Sequence, residues 1–316
     1  MLSLYQIIVP TPYAVGPVNV YVIKNDPLTL IDAGPNTDRA ARVLNGMLIA
    51  LGINVKEIKR IVITHAHPDH SGLASDLAQE SGAAVLMHPW ELKKMDKTTD
   101  FIKERLPFAI EAGIPQNVMA EMYGERDKLP RPTVDNCKVE KVKDHDILKF
   151  DEGELQVLHL PGHSPGHLCL YDQTQKIFIS GDFLLPHITP NPLIEPDPES
   201  PGQRLPTLKQ YLTGLDKVER LNIGMVCPGH GGVFNDYRGA INVARRHHES
   251  QFKTILSKLN GQQLNSYELS KAVYPNLKGW DIFLGLSEIQ AHLDLLVERG
   301  AISLSKEKGV IYYHKN

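Results

Sequence analysis

The chain reads as a mixed α/β (α+β) fold, and three observations predict it. Runs rich in β-branched residues, Leu4 to Val9, Val18 to Ile23 and Leu28 to Gly34, open the sequence between Pro, Gly and Asn punctuation, as short strands do. Further on, segments with apolar residues at helical spacing alternate with such strands. Four separate apolar strands then end in histidine or aspartate beside glycine, so a rigid sheet delivers polar groups from distant parts of the sequence to one place.

Length and composition set the frame. A chain of 316 residues exceeds the usual single-domain size, which predicts one large domain plus a small appendage. With 42% apolar and 22% charged residues it has ample material for a packed core and is not a disordered chain. A formal net charge of -3 provides no global basic field, which argues against nonspecific binding to nucleic acid or anionic membrane. Cys137, Cys169 and Cys227 are too few and too widely spaced for a disulfide framework or a Cys-pair zinc motif, and are expected to be free thiols. The first ten residues lack a basic stretch and a small-residue cleavage site, and no apolar run nears the ~18 residues that suggest a membrane span. A cytoplasmic location is the expectation.

Each element follows from local pattern. The first three strands predict a mainly antiparallel opening sheet, with Asp32 where the third one stops. Asn36 to Leu51 has helical spacing, with Ala40, Val43, Leu44, Met47 and Leu51 expected on the buried face and Gly52 as its stop. After the strand starting at Arg60, Leu73 to Ser81 reads as a helix, Ala83 to Met87 as a strand and Pro89 to Met95 as a further helical turn. Residues 97 to 135 break the alternation. Phe101, Leu106, Ile110, Ile114, Val118 and Met122 keep helical spacing with no strand between them, which predicts a helical insertion, either a patch on the core or a lid over a site. Recurrent prolines from Pro186 to Pro206 predict an extended loop, and Leu208 to Val218 and Asp236 to Leu259 are helical again.

The chemistry begins where the strand from Arg60 ends, in His65-Ala-His67-Pro-Asp69-His70. Three imidazoles and a carboxylate on one short turn suit a borderline-soft divalent cation such as zinc better than calcium or magnesium. One turn does not close a site. Leu155 to Leu160 runs into Pro161-Gly-His163-Ser-Pro-Gly-His167, Lys176 to Ser180 into Gly181-Asp182, and Gly224 to Cys227 into Pro228-Gly-His230, so later strand ends offer the missing ligands.

Together these motifs resemble the metallo-β-lactamase superfamily: the His-X-His-X-Asp-His signature is intact, and His163, Asp182 and His230 follow in the expected order. The resemblance implies a four-layer αββα sandwich, two β-sheets face to face with helices outside and two metals at one edge. Carried over position by position, it assigns His65, His67 and His163 to one metal and Asp69, His70 and His230 to a second, with Asp182 bridging and Asp32 as a structural aspartate beside them. Two divalent ions, zinc first and iron or manganese by the same ligands, would share a hydroxide whose pKa is brought near neutrality. Asp69 is then the residue that orients this hydroxide and takes its proton.

His167 is expected to support the ligands from behind, and His187, on the proline-rich loop after Asp182, to touch substrate. His88, His145, His159, His247, His248, His292 and His314 lack motif context and are expected to be solvated or satisfied in the core. Near the C-terminus, a helix capped by Ser266 and running to Tyr274, a second from Ser287 to Arg299, and a hairpin about Lys306 to Gly309 look like a winged helix. It is similar to the small domain carried by a subset of the superfamily that includes the lactamase-beta-like endoribonucleases. The expected division is therefore a catalytic domain over 1–260 and a winged-helix domain over 261–316. Six Lys/Arg against six Asp/Glu in the latter argue against a reader of duplex DNA.

The favoured function is hydrolysis of an ester, thioester, lactone or related small molecule. Phosphodiester cleavage of single-stranded RNA is the alternative. A nucleic-acid-binding regulator with a vestigial metal domain is a third reading, against which the complete ligand set stands. Membrane partners are not expected, and association between copies of the chain is left open.

Overall fold

The computed structural model describes residues 1–126 and 131–316. Its contacts divide the chain into two compact units, one of Met1–Thr99, Pro130–Pro190 and Lys217–Ala240, the other of Asp100–Leu129, Asn191–Asp216 and Ile241–Asn316.

The first unit is built on two sheets. β1 (Leu4–Val9), β2 (Val18–Ile23), β3 (Thr29–Ile31), β4 (Arg60–Val62), β5 (Ala84–Met87) and β6 (Lys138–Lys141) lie side by side in sequence order, antiparallel up to β3 and parallel from there. The antiparallel opening is thus as expected. β7 (Ile147–Phe150), β8 (Gly153–His159), β9 (Leu168–Asp172), β10 (Ile177–Gly181) and β11 (Met225–Pro228) form the second sheet in reverse order, with only β10 and β11 parallel. Period-two alternation splits the apolar residues of the first sheet between two cores. Tyr21, Ile23, Ile31, Val62 and Leu86 pack with Leu155, Val157, Leu168, Leu170 and Ile179, which joins the sheets face to face. Their neighbours Val20, Val22, Leu30, Ile61 and Val85 face the other way, onto α1 (Asp38–Ala50) and α3 (Ala74–Ser81), reached through the short α2 (Pro68–Ser71). A fully buried Leu, Ile or Val is worth about 1.5–3 kcal/mol over its exposed state, so these two layers fix the strand ends firmly.

Local signals set the helices. The Thr37 side chain caps α1 by accepting the Ala40 N–H at 3.2 Å, and Ala40, Leu44 and Leu48 form its buried stripe. Met47, expected on that stripe, is 42% exposed, because the stripe drifts from Ala40 through Leu44 to Leu48 and leaves Met47 at its edge. α4 (Pro89–Met95) spans the predicted residues. β6, β7 and β9 were not legible: β6 and β7 are edge strands with charged outward positions, and β9 is a wholly buried five-residue run too short for periodicity to show.

The second unit holds the predicted insertion as α5 (Phe101–Glu111) and α6 (Gln116–Arg126), with most of α7 (Thr207–Glu219) and α8 (Tyr237–Lys258). It continues through β12 (Leu264–Asn265), α9 (Ser266–Val273), α10 (Asp281–Glu298) and the hairpin β13 (Ile302–Glu307) and β14 (Val310–Lys315), in a sheet ordered β12-β14-β13. Phe108, Ala112, Ile114 and Met122 pack with Leu193, Ile194, Ile282, Phe283 and Leu286. The contact division consequently falls elsewhere than residue 260/261, since the insertion and 191–216 gather onto α10. Asn265, not Ser266, caps α9: its side chain accepts the Glu268 N–H at 2.8 Å while Glu268 accepts the Asn265 N–H at 3.0 Å. Ser266 is buried and donates to Gln290 instead. Along α8, Ile241, Phe252 and Ile255 are buried, as is Leu259 just past its end, and Val243 is exposed. The 186–206 stretch has an isolated bridge between Pro196 and Arg204 as its only strand-like pairing among the described residues.

Candidate metal centre

Every sequence-predicted ligand stands just past the end of a strand of the first unit, and the backbone there explains its aim. Asp32 follows β3 in the left-handed region (φ +62°), which Asp tolerates better than most residues. Its N–H is held by Val62 O at 2.8 Å, and its carboxylate accepts from Thr64 N–H at 2.8 Å, Thr64 Oγ1 at 2.9 Å and His70 Nδ1 at 2.7 Å. His67 caps α2 with Pro68 at its first position, so Asp69 and His70 follow on a single helical turn. His163 follows β8, Asp182 follows β10 and His230 follows β11.

These side chains converge in two trios. His65, His67 and His163 bring one nitrogen each within 4.8 Å of one another, as do Asp69, His70 and His230 with a carboxylate oxygen and two nitrogens. In the first trio His67 Nδ1 lies 2.9 Å from His65 Nε2 and 3.1 Å from His163 Nε2. The Asp182 carboxylate lies between the trios. Its Oδ1 is 3.3 Å from His70 Nε2, and its Oδ2 is 3.6 Å from both His163 Nε2 and His230 Nε2. Asp69 Oδ2 is 3.4 Å from His230 Nε2.

Outer partners turn ring lone pairs inward. His70 Nδ1–H is taken by Asp32 and His230 Nδ1–H by Pro17 O at 2.7 Å, which turns both Nε2 atoms to face the site, open to a proton or a cation. The Thr64 hydroxyl gives its proton to Asp32 and so accepts from His65 Nδ1 at 3.0 Å, which aims His65 Nε2 inward too. His70 Nε2, His230 Nε2 and Asp182 Oδ1 are buried with no hydrogen-bond partner. Orphaned acceptors of this kind, all pointing at one another, are what a divalent cation satisfies, and the imidazole-carboxylate set suits zinc, iron or manganese.

Charge points the same way. Burial, reinforced by neighbouring imidazoles, pushes His65 and His67 well below the ordinary histidine range, so they stay neutral donors. For His70 burial works downward, but Asp182, Asp32 and Asp69 outweigh it and raise it well above that range. Burial would raise the Asp182 carboxyl, yet His70, His230 and His163 hold it well below the usual carboxylate range. The carboxylates thus attract positive charge to the centre, and a cation there displaces the protons that would otherwise sit on ligand nitrogens.

Of two supporting residues, one was foreseen and one was not. His167 stands behind the centre: its Nε2 accepts the Asp182 N–H at 3.1 Å, and it joins neither trio. Glu91, on α4, was missed. Fully buried, it accepts the Ala66 N–H at 2.8 Å on one oxygen and Ser164 Oγ at 2.6 Å and the Gly166 N–H at 2.7 Å on the other. A single carboxylate therefore ties the turn bearing His65 and His67 to the turn bearing His163. Gly229 is required by closeness, since a Cβ there would sit 2.3 Å from Asp182 Oδ1 and 2.8 Å from His70 Cε1. His187 is exposed and lies outside both trios.

Comparison with known proteins decides the family. Residues 13–230 match the model of the metallo-beta-lactamase superfamily. The chain belongs to that superfamily. A probable metallo-hydrolase, YqjP of Bacillus subtilis, is 30% identical over 96% of this chain and 95% of its own length. Acyl-coenzyme A thioesterase MBLAC2 of Bos taurus is 29% identical over 56% of this chain and 57% of its length. Among solved structures, the metallo-beta-lactamase family protein TTHA1429 from Thermus thermophilus superposes with a TM-score of 0.84 at 26% identity, covering 99% of this chain and 98% of that one. The superfamily fold expected from the sequence stands, and with it a metal-dependent hydrolase bearing His/Asp sites for divalent ions. Among the described residues no helix is long and apolar enough to cross a membrane.

Proposed function

We propose that the chain is a dinuclear hydrolase of acyl thioesters, with His65, His67 and His163 holding one ion, Asp69, His70 and His230 the other, and Asp182 between them. The observation that carries the dinuclear reading is the placement of Asp182, whose Oδ2 lies equally near a histidine of each trio. Two divalent cations, zinc in our reading, supply when bound a nucleophile at neutral pH and polarisation of the scissile carbonyl. The protein's part is orientation. Asp32, Thr64 and Pro17 O fix ring tautomers, Glu91 holds two ligand turns in register, and Asp69, beside His230, is placed to accept a proton from water at the centre.

The thioester preference is supported by the acyl-coenzyme A thioesterase among the relatives. His187, exposed on the loop that follows Asp182, is assigned to substrate contact, and the α9–α10–hairpin segment is read as a winged helix that shapes or buttresses the second unit. A panel of acyl thioesters, oxoesters, lactones, phosphodiesters and single-stranded RNA tests the substrate class. Thioesters should show kcat/KM about tenfold or more above the other classes, a preference of about 1.4 kcal/mol in the transition state. Faster turnover of phosphodiesters or RNA refutes the thioester assignment and leaves the ligand set standing.

A further inference from the structure

The second unit carries an imidazole cluster that the hydrolytic centre does not use. His247 and His248 lie on α8, Glu288 and His292 one turn apart on α10. His247 Nε2 is 3.2 Å from Glu288 Oε1, and His248 Nδ1 is 3.9 Å from the same oxygen. One nitrogen of each of these two histidines and one Glu288 oxygen all fall within 4.8 Å. His292 Nδ1 donates to Glu288 O at 2.6 Å, so its Nε2 presents a lone pair, 3.1 Å from His248 Nδ1.

Two facts set this cluster apart from an ordinary hydrogen-bonded core. Glu288 has a side chain only 10% exposed, and its ion-pair partners among the described residues are the three histidines. Burying a carboxylate is costly unless a counter-charge meets it. Secondly, His247 Nε2 and His248 Nδ1 face one and the same Glu288 oxygen, at 3.2 and 3.9 Å, so two rings from α8 and a carboxylate from α10 share a single focus.

The geometry points to a separate divalent-cation site made by His247 Nε2, His248 Nδ1 and Glu288 Oε1, which clips α8 to α10. Two imidazoles and a carboxylate suit zinc, and by the same preference cobalt or nickel. The half-exposed His247 gives access.

The test uses the full-length protein with both trios of the hydrolytic centre disabled by His65→Ala, His70→Ala and Asp182→Asn, so that it does not depend on the reading of that centre. Cobalt(II) titration should show a saturable visible absorption and one bound ion per chain that His247→Ala abolishes, and zinc should raise the Tm of the disabled protein but not of its His247→Ala version. In the protein with an intact centre, His247→Ala should remove one equivalent of zinc and leave turnover unchanged. Cobalt binding that survives His247→Ala, or zinc content that is the same with and without this histidine, overturns the proposal in favour of a plain hydrogen bond between His247 and Glu288.

Discussion

Replacing Asp182 with asparagine is expected to reduce kcat/KM by about two to four orders of magnitude, with metal content falling below that of the parent protein. This magnitude follows from the loss of one buried charged partner, about 3–5 kcal/mol, at 1.36 kcal/mol per factor of ten. An amide keeps one acceptor oxygen but loses the negative charge that faces His70, His163 and His230 together. The effect should exceed that of altering a ligand of only one trio, because Asp182 lies against both. Steady-state kinetics beside elemental analysis of the same preparation checks this. A variant with parental turnover removes Asp182 from the centre.

Glu91→Ala is expected to be the most damaging change outside the ligands. It strands the N–H groups of Ala66 and Gly166 and the hydroxyl of Ser164, all donors to one buried carboxylate. Each unsatisfied buried donor costs about 1–3 kcal/mol, so a loss of about 3–5 kcal/mol in unfolding free energy is predicted. Metal affinity should fall about 10- to 100-fold, the usual cost of losing a group that orients ligands. Denaturant unfolding of the metal-free protein and a chelator-competition titration read the two effects separately. Glu91→Gln, which keeps one acceptor, should lie between. Unchanged affinity in a folded Glu91→Ala variant would show that the two ligand turns hold their register without it.

The convergence of the candidate ligands was legible because their chemistry is concentrated: His65 to His70 puts four donors in six residues, and His163, Asp182 and His230 each sit beside a glycine at the end of an apolar run. Glu91 carried no such mark. It stands in a helical stretch between Trp90 and Leu92, where a glutamate ordinarily faces solvent, and only the folded chain shows that it is enclosed by residues about 25 and 75 positions away. That His247, His248 and His292 gather about Glu288 was not legible either, because Glu288 is far from His247 and His248 in sequence, on a different helix. Edge strands β6 and β7 escaped for the opposite reason: their polar outer faces blur the alternation on which a strand is recognised. Long-range packing also turned α1 so that Leu48 is buried and Met47 is not, although both fit a helical period.

Hydrolysis is held to depend on divalent cations bound by the two trios and Asp182. The most direct measurement is the turnover of an acyl thioester by the protein after exhaustive chelation and dialysis, with and without readdition of zinc, manganese or iron(II). The metal-free protein should fall to background and recover on readdition, while the Asp182→Asn variant should not recover. Full turnover by protein shown to be metal-free would contradict the account.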